Sequence, residues 1–106
     1  MYARRVSMHL KPNSVAEFTQ KLESQVIPLL RKQTGFQDEI TFVGPGNTKA
    51  FGISLWATRE NADTYNRNTY AEVTKLLAGV VEGTPEVESY DVSNSTFHKI
   101  AAHATA

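Results

Sequence analysis

The stretch Phe51-Gly52-Ile53-Ser54-Leu55-Trp56-Ala57-Thr58-Arg59-Glu60-Asn61-Ala62 carries a strand into a helix with no linker between them. Phe51, Ile53 and Leu55 recur at every second position with small Gly52 and Ser54 between them, the period of a strand with two unlike faces. The apolar trio predicts the core-facing side. The opposite side, small until Trp56 fills it, predicts a lone tryptophan beside an open surface. Thr58 then offers a side-chain oxygen to the free N–H groups of a helix beginning at Arg59.

Toward the N-terminus, residues 2–10 alternate as well, with Val6, Met8 and Leu10 on one side and Arg5, Ser7 and His9 on the other. This predicts a half-buried first strand, ended by Lys11-Pro12-Asn13. Ser14 and Glu17 have the spacing of a capping box, and Val15, Phe18, Leu22, Val26, Leu29 and Leu30 form a helical stripe reaching about Gln33. Pro28 lacks an N–H and crowds the carbonyl four residues back, so a bend is expected near Ser24. Gly35 is placed to stop the helix. Residues 36–43 read as a second strand, which Gly44-Pro45-Gly46-Asn47-Thr48 returns antiparallel into residues 49–57.

Beyond Thr58 the helical pattern is expected in two pieces, broken near Arg67-Asn68-Thr69 and continuing through Val73, Leu76, Leu77, Val80 and Val81. Gly83-Thr84-Pro85 is expected to end it, and residues 86–97 to form the fourth strand. Residues 1–98 then make one domain and residues 99–106 a small, polar tail. The order βαββαβ is the split plan of an α+β ferredoxin-like fold, with both helices on one face of a four-stranded antiparallel sheet. Leaving the other face in water is unfavourable at ~25 cal/mol per Å² of apolar surface, so the expected cover is the sheet of an identical subunit.

With 106 residues and 41% hydrophobic content, one modest core is available. Eleven basic and eleven acidic side chains cancel, and no basic block argues for nucleic acid or an anionic membrane. The absence of cysteine removes disulfides and thiol chemistry and is compatible with a reducing cytoplasm. Residues 1–9 hold no apolar run of the kind a signal peptide or membrane span needs.

The chain resembles the dimeric α/β-barrel superfamily, and within it the antibiotic-biosynthesis-monooxygenase-like proteins. The resemblance rests on His-Leu-Lys-Pro-Asn at His9 to Asn13, Thr-Gly-Phe at Thr34 to Phe36, and Ser-Leu-Trp-Ala-Thr-Arg-Glu-Asn-Ala at Ser54 to Ala62. Tyr70-Ala71-Glu72-Val73 and Glu88-Ser89-Tyr90-Asp91-Val92 extend it. It implies a homodimer joined through sheet faces and forming an α/β barrel. It also implies a pocket between sheet and helices near a third-strand tryptophan, the position of Trp56, and, in the oxygenases, chemistry without a cofactor. In the similar haem-degrading branch an asparagine and a histidine would fall at Arg5 and Asn66, so that activity is not expected.

Trp56 offers an indole donor and a flat apolar surface to an aromatic ligand, or alternatively packs a core or an interface. His9 is a candidate general base, and Arg5, on the same strand face, a candidate for holding an enolate or phenolate; a rim position is the alternative for His9. Asn61 and Tyr65 share a helix face and, with neighbouring Asn66, could orient a substrate carbonyl, as Arg67 and Tyr70 could more remotely. Asp38, Glu39, Glu86, Glu88 and Asp91 show no fixed spacing, and His98 and His103 lack a third ligand, so neither a carboxylate pair nor a metal is expected. The sequence therefore predicts a cofactor-free dimer that binds, and oxygenates, a small aromatic or enolic metabolite. The competing expectation is a non-catalytic binding or structural dimer.

Overall fold

The computed structural model describes residues 1–98; the predicted tail, 99–106, lies outside them. The elements run β1 (Tyr2–Leu10), α1 (Val15–Lys21), a π-helical turn (Leu22–Val26), α2 (Ile27–Arg31), β2 (Phe36–Val43), β3 (Lys49–Trp56), α3 (Arg59–Asn68), α4 (Tyr70–Leu77) and β4 (Val81–Asp91). The strands form one antiparallel sheet in the order β2-β3-β1-β4. This is the expected ferredoxin-like α+β plan.

Local chemistry explains most boundaries. The bend caused by Pro28 is a π-helical turn just before it, a widened register that leaves room for the proline ring near the start of α2. Gly35 follows with φ +80°, and a Cβ there would fall 2.1 Å from Asn61 Oδ1. Asn47 takes φ +58° in the β2–β3 turn, where the Gly44 N–H donates to the Lys49 carbonyl at 2.7 Å. Thr58 caps α3 by accepting from the Asn61 N–H at 3.1 Å, and α3 gives way to α4 at Thr69, as expected.

Three boundaries differ from expectation, one of them the end of β4, at Asp91 instead of residue 97. Ser14 makes no cap to α1; its hydroxyl donates instead to the Pro12 carbonyl at 3.3 Å. The second helical segment ends at Leu77, not Val81, and Gly83-Thr84-Pro85 lie inside β4 instead of before it. Val80 and Val81 are apolar enough to continue the helical stripe, but Val80 lies in the turn after α4 and Val81 opens β4 opposite Leu10, and both are buried in the core. Gly83, at φ +67°, lets β4 shift register against β1 between Ser7 and His9.

The faces of the sheet are the larger correction. Trp56 was expected on the uncovered face and Phe51, Ile53 and Leu55 in the core. Trp56 is fully buried, on the face that holds Ala50 and Ser54, while Phe51, Ile53 and Leu55 are half-buried on the other. The register carries this across the sheet. Phe42 pairs with Phe51 and Ile40 with Ile53 on the open face; Thr41 pairs with Gly52 and Glu39 with Ser54 beneath the helices. In β2 and β3 the more apolar side thus faces away from the helices.

Candidate functional site

The small and polar helix-side residues of β2 and β3 leave a gap that α1, the π-helical turn, α2 and α4 do not fill. The result is a cavity of about 380 Å³, within the range of small-molecule sites. Phe18, Leu22, Val26, Leu30, Val73 and Leu77 form its apolar walls. Exposed Ala78, Gly83 and Thr84 lie at its rim, between the end of α4 and the edge of β4.

Its floor is read from the strand register. Arg4 on β1, Ser54 on β3 and Glu39 on β2 form one row, and Val6, Gly52 and Thr41 form the next. Two strand spacings separate Arg4 from Glu39, about 10 Å between backbones. Gly52 keeps the centre low: a Cβ there would meet Thr41 Oγ1 at 3.3 Å and Glu39 Oε1 at 3.5 Å.

Arg4 is 3% exposed. Its guanidinium donates through Nη2 to Asn66 Oδ1 at 2.8 Å and lies over the rings of Tyr65 and Tyr70, 5.0 and 4.6 Å from their centroids. Burial lowers the Arg4 pKa while the two tyrosines oppose that, and an arginine remains charged at any physiological pH. Burial pushes the Tyr65 phenol up to about 12, partly offset by Arg4, and raises Tyr70 in the same way. Glu39 is also held above its usual carboxylate range by burial, with a hydrogen bond from the Thr41 hydroxyl acting in the opposite sense. Among the described residues neither Arg4 nor Glu39 has an ion-pair partner.

The residues singled out in the sequence are divided by the sheet. Tyr65 lines the cavity and Asn66 reaches it through Arg4. Trp56 does not line it: its indole stacks on Tyr65 at 4.8 Å, meets Phe36 edge-on at 5.6 Å, and donates to Ser54 Oγ at 2.9 Å. It is a wall behind the wall. Asn61 lies over Gly35 and bonds Thr58, so it secures the β3–α3 corner. Tyr70 lines the cavity, and Arg67 is exposed and bonds Thr64.

Arg5 and His9 stand on the open face. His9 is exposed, and Arg5 lies over the Phe51 ring at 4.5 Å with its Nε lacking an acceptor. The sheet separates both from Trp56 and Tyr65. Arg4 was missed, and Glu39 was set aside with the other carboxylates for want of a fixed spacing. Stepping back by two from Leu10 through Met8 and Val6 lands on Arg4, and an arginine on a core-facing strand side was the available signal. Glu39 had no such signal, because it alternates with Ile40 and Phe42, which read as the core side. No group of three or more His, Asp or Glu able to hold a metal occurs among the described residues.

This fold is shared with solved structures named as antibiotic biosynthesis monooxygenases. A protein assigned as an antibiotic biosynthesis monooxygenase from Bordetella bronchiseptica superposes with TM-score 0.73 at 18% identity, over 86% of this chain and 95% of that one. SnoaB, a cofactor-independent oxygenase from Streptomyces nogalater, gives 0.74 at 11% identity, over 90% and 95%. A protein of unknown function from Nitrosomonas europaea gives 0.73 at 17% identity, over 90% and 91%. At these identities the shared property is the fold. No family model and no curated protein sequence matches the chain.

Proposed function

We propose that the protein binds a small, largely apolar aromatic or enolic metabolite between its sheet and helices and oxygenates it without a metal or flavin. The observation that carries this reading is the cavity itself: apolar walls, two tyrosine rings, and a buried guanidinium with no carboxylate partner among the described residues. Such a cation favours a ligand able to become an anion. Once the ligand is ionised, its own electrons reduce dioxygen. For an acidic methylene the balance is CH2 + O2 → C=O + H2O, one oxygen atom entering the product and the other leaving as water. The protein contributes deprotonation, orientation and exclusion of solvent.

In the same reading the protein is a homodimer joined through its open sheet faces. Ile40 and Phe42 are 50% and 43% exposed there, Phe42 stacks on Phe51 at 4.8 Å, and the Arg5 Nε lacks an acceptor. Arg5 and His9 then belong to the interface. A second reading, binding without turnover, is favoured by Trp56, whose indole donor is spent on Ser54 and sealed behind Tyr65. No helix among the described residues is long and apolar enough to cross a membrane.

Anthrone, a tricyclic ketone with one acidic methylene, tests both. Calorimetric titration should show one saturable site per chain, and an oxygen electrode should record protein-dependent uptake that survives a chelator. Absence of saturable binding refutes the site. Binding with no uptake selects the second reading.

A further inference from the structure

Glu39 is a carboxylate placed where a carboxylate is costly. It is half-buried in a mainly apolar cavity, with a hydroxyl and no cation for a partner among the described residues. The nearest compensating charge on the cavity floor is Arg4, in the same cross-sheet row with Ser54 between them. Arg4 is not free to cross that distance, because Asn66 and the rings of Tyr65 and Tyr70 hold its head. Two unlike charges are therefore kept apart across the floor. The hydroxyl of Thr41 fixes the Glu39 carboxylate beside Gly52, the lowest point of that floor, where a Cβ would come within 3.3 Å of that hydroxyl.

A planar ligand seated over Gly52 and Ser54 would touch a proton acceptor at one end and a guanidinium at the other. We propose that Glu39 is the proton acceptor of this cavity, taking the acidic C–H proton of a bound enolisable aryl ketone while Arg4 faces the carbonyl oxygen on which the negative charge comes to rest. This rests on the cavity being the ligand site. The step is balanced: the C–H bond breaks, the proton joins a Glu39 oxygen, and the electron pair stays on the ligand as an enolate. The substrate class follows, namely flat aromatics that carry an ionisable C–H proton at one end and a conjugated carbonyl oxygen at the other. Burial, which makes Glu39 a stronger base than a free carboxylate, acts in the same direction.

The test separates proton removal from oxygenation. Anthrone is incubated with the protein in deuterated buffer without dioxygen, and loss of its methylene proton signal is followed by NMR. The wild type should accelerate exchange above buffer. Glu39→Gln should slow exchange of the bound probe ~100-fold or more, the usual worth of a general base, with Kd by calorimetry changed less than threefold. Wild-type exchange by Glu39→Gln at wild-type affinity overturns the proposal and leaves the ligand site standing; failure of the wild type to bind anthrone overturns both. Should Glu39→Gln not fold, Glu39→Ala is read by the same two measurements, and unchanged exchange at unchanged affinity overturns the proposal equally.

Discussion

Replacing Trp56 tests the core and the site together. Its side chain is fully buried between Phe36 and Tyr65 and closes the end of the sheet. Truncation to alanine returns roughly 150 Å² of apolar contact to a void or to water, which at ~25 cal/mol per Å² is about 4 kcal/mol. Large aromatic-to-alanine changes in cores cost ~3–5 kcal/mol, in agreement. Trp56→Phe keeps the stacking surface but leaves Ser54 Oγ without the indole donor, a loss of ~1 kcal/mol. Urea unfolding followed by far-UV circular dichroism reads both, since the only tryptophan is lost in each variant. With a slope of about 2 kcal/mol per molar urea, Trp56→Ala should lower the midpoint by ~2 M and Trp56→Phe by ~0.5 M. Because the indole does not line the cavity, Trp56→Phe should keep its affinity for anthrone within about threefold, a difference under ~1 kcal/mol. A Trp56→Ala midpoint within ~0.5 M of wild type would refute the packing argument. A tenfold affinity loss in Trp56→Phe, about 1.4 kcal/mol, would place the indole in the site after all.

Titration of Tyr65 gives a prediction at alkaline pH. Its folded pKa of about 12 lies above the ordinary 10, so between those values the folded chain holds a proton that the unfolded chain has lost. Stability is therefore whole below pH ~10 and falls as pH rises toward ~12, by ~2–3 kcal/mol, and Tyr65→Phe should flatten that decline; an equal decline in the variant would sink the assignment. On the open face, Ile40→Lys should convert a micromolar dimer into a folded monomer by sedimentation. A wild-type chain already monomeric at that concentration contradicts the proposed interface.

The element order was legible because each signal in it is local. Thr58 needs only the free N–H of Asn61, and Gly35 only a positive φ, so both act as punctuation whatever packs above them. Pro28 announced an irregular helix for the same reason, since the crowding it causes lies within its own chain segment. The end of α4 was not legible. Val80 and Val81 suit a helical stripe and a buried strand equally well, and only the pairing of Val81 with Leu10 and the burial of both in the core decide between the two.

The site was hidden by a different kind of ambiguity. Period-2 alternation tells which residues share a face, but not which face meets the helices. The expectation gave the more apolar side of β3 to the helices and the other side to an identical subunit, which placed Trp56 on the open face, while Glu39 was set aside for want of a fixed carboxylate spacing. In the proposed dimer, with one face under helices and the other against a second subunit, the rule loses its direction. The stronger apolar side, Ile40, Phe42, Phe51, Ile53 and Leu55, can then lie away from the helices. The weaker side, Glu39, Thr41, Gly52 and Ser54, is too small and polar to pack tightly under them. A cavity is the physical consequence of that exchange, and Glu39 lies in it because it shares a face with Thr41, Gly52 and Ser54. The same open apolar face that motivates the dimer thus accounts for why there is room for a ligand on the other side of the sheet.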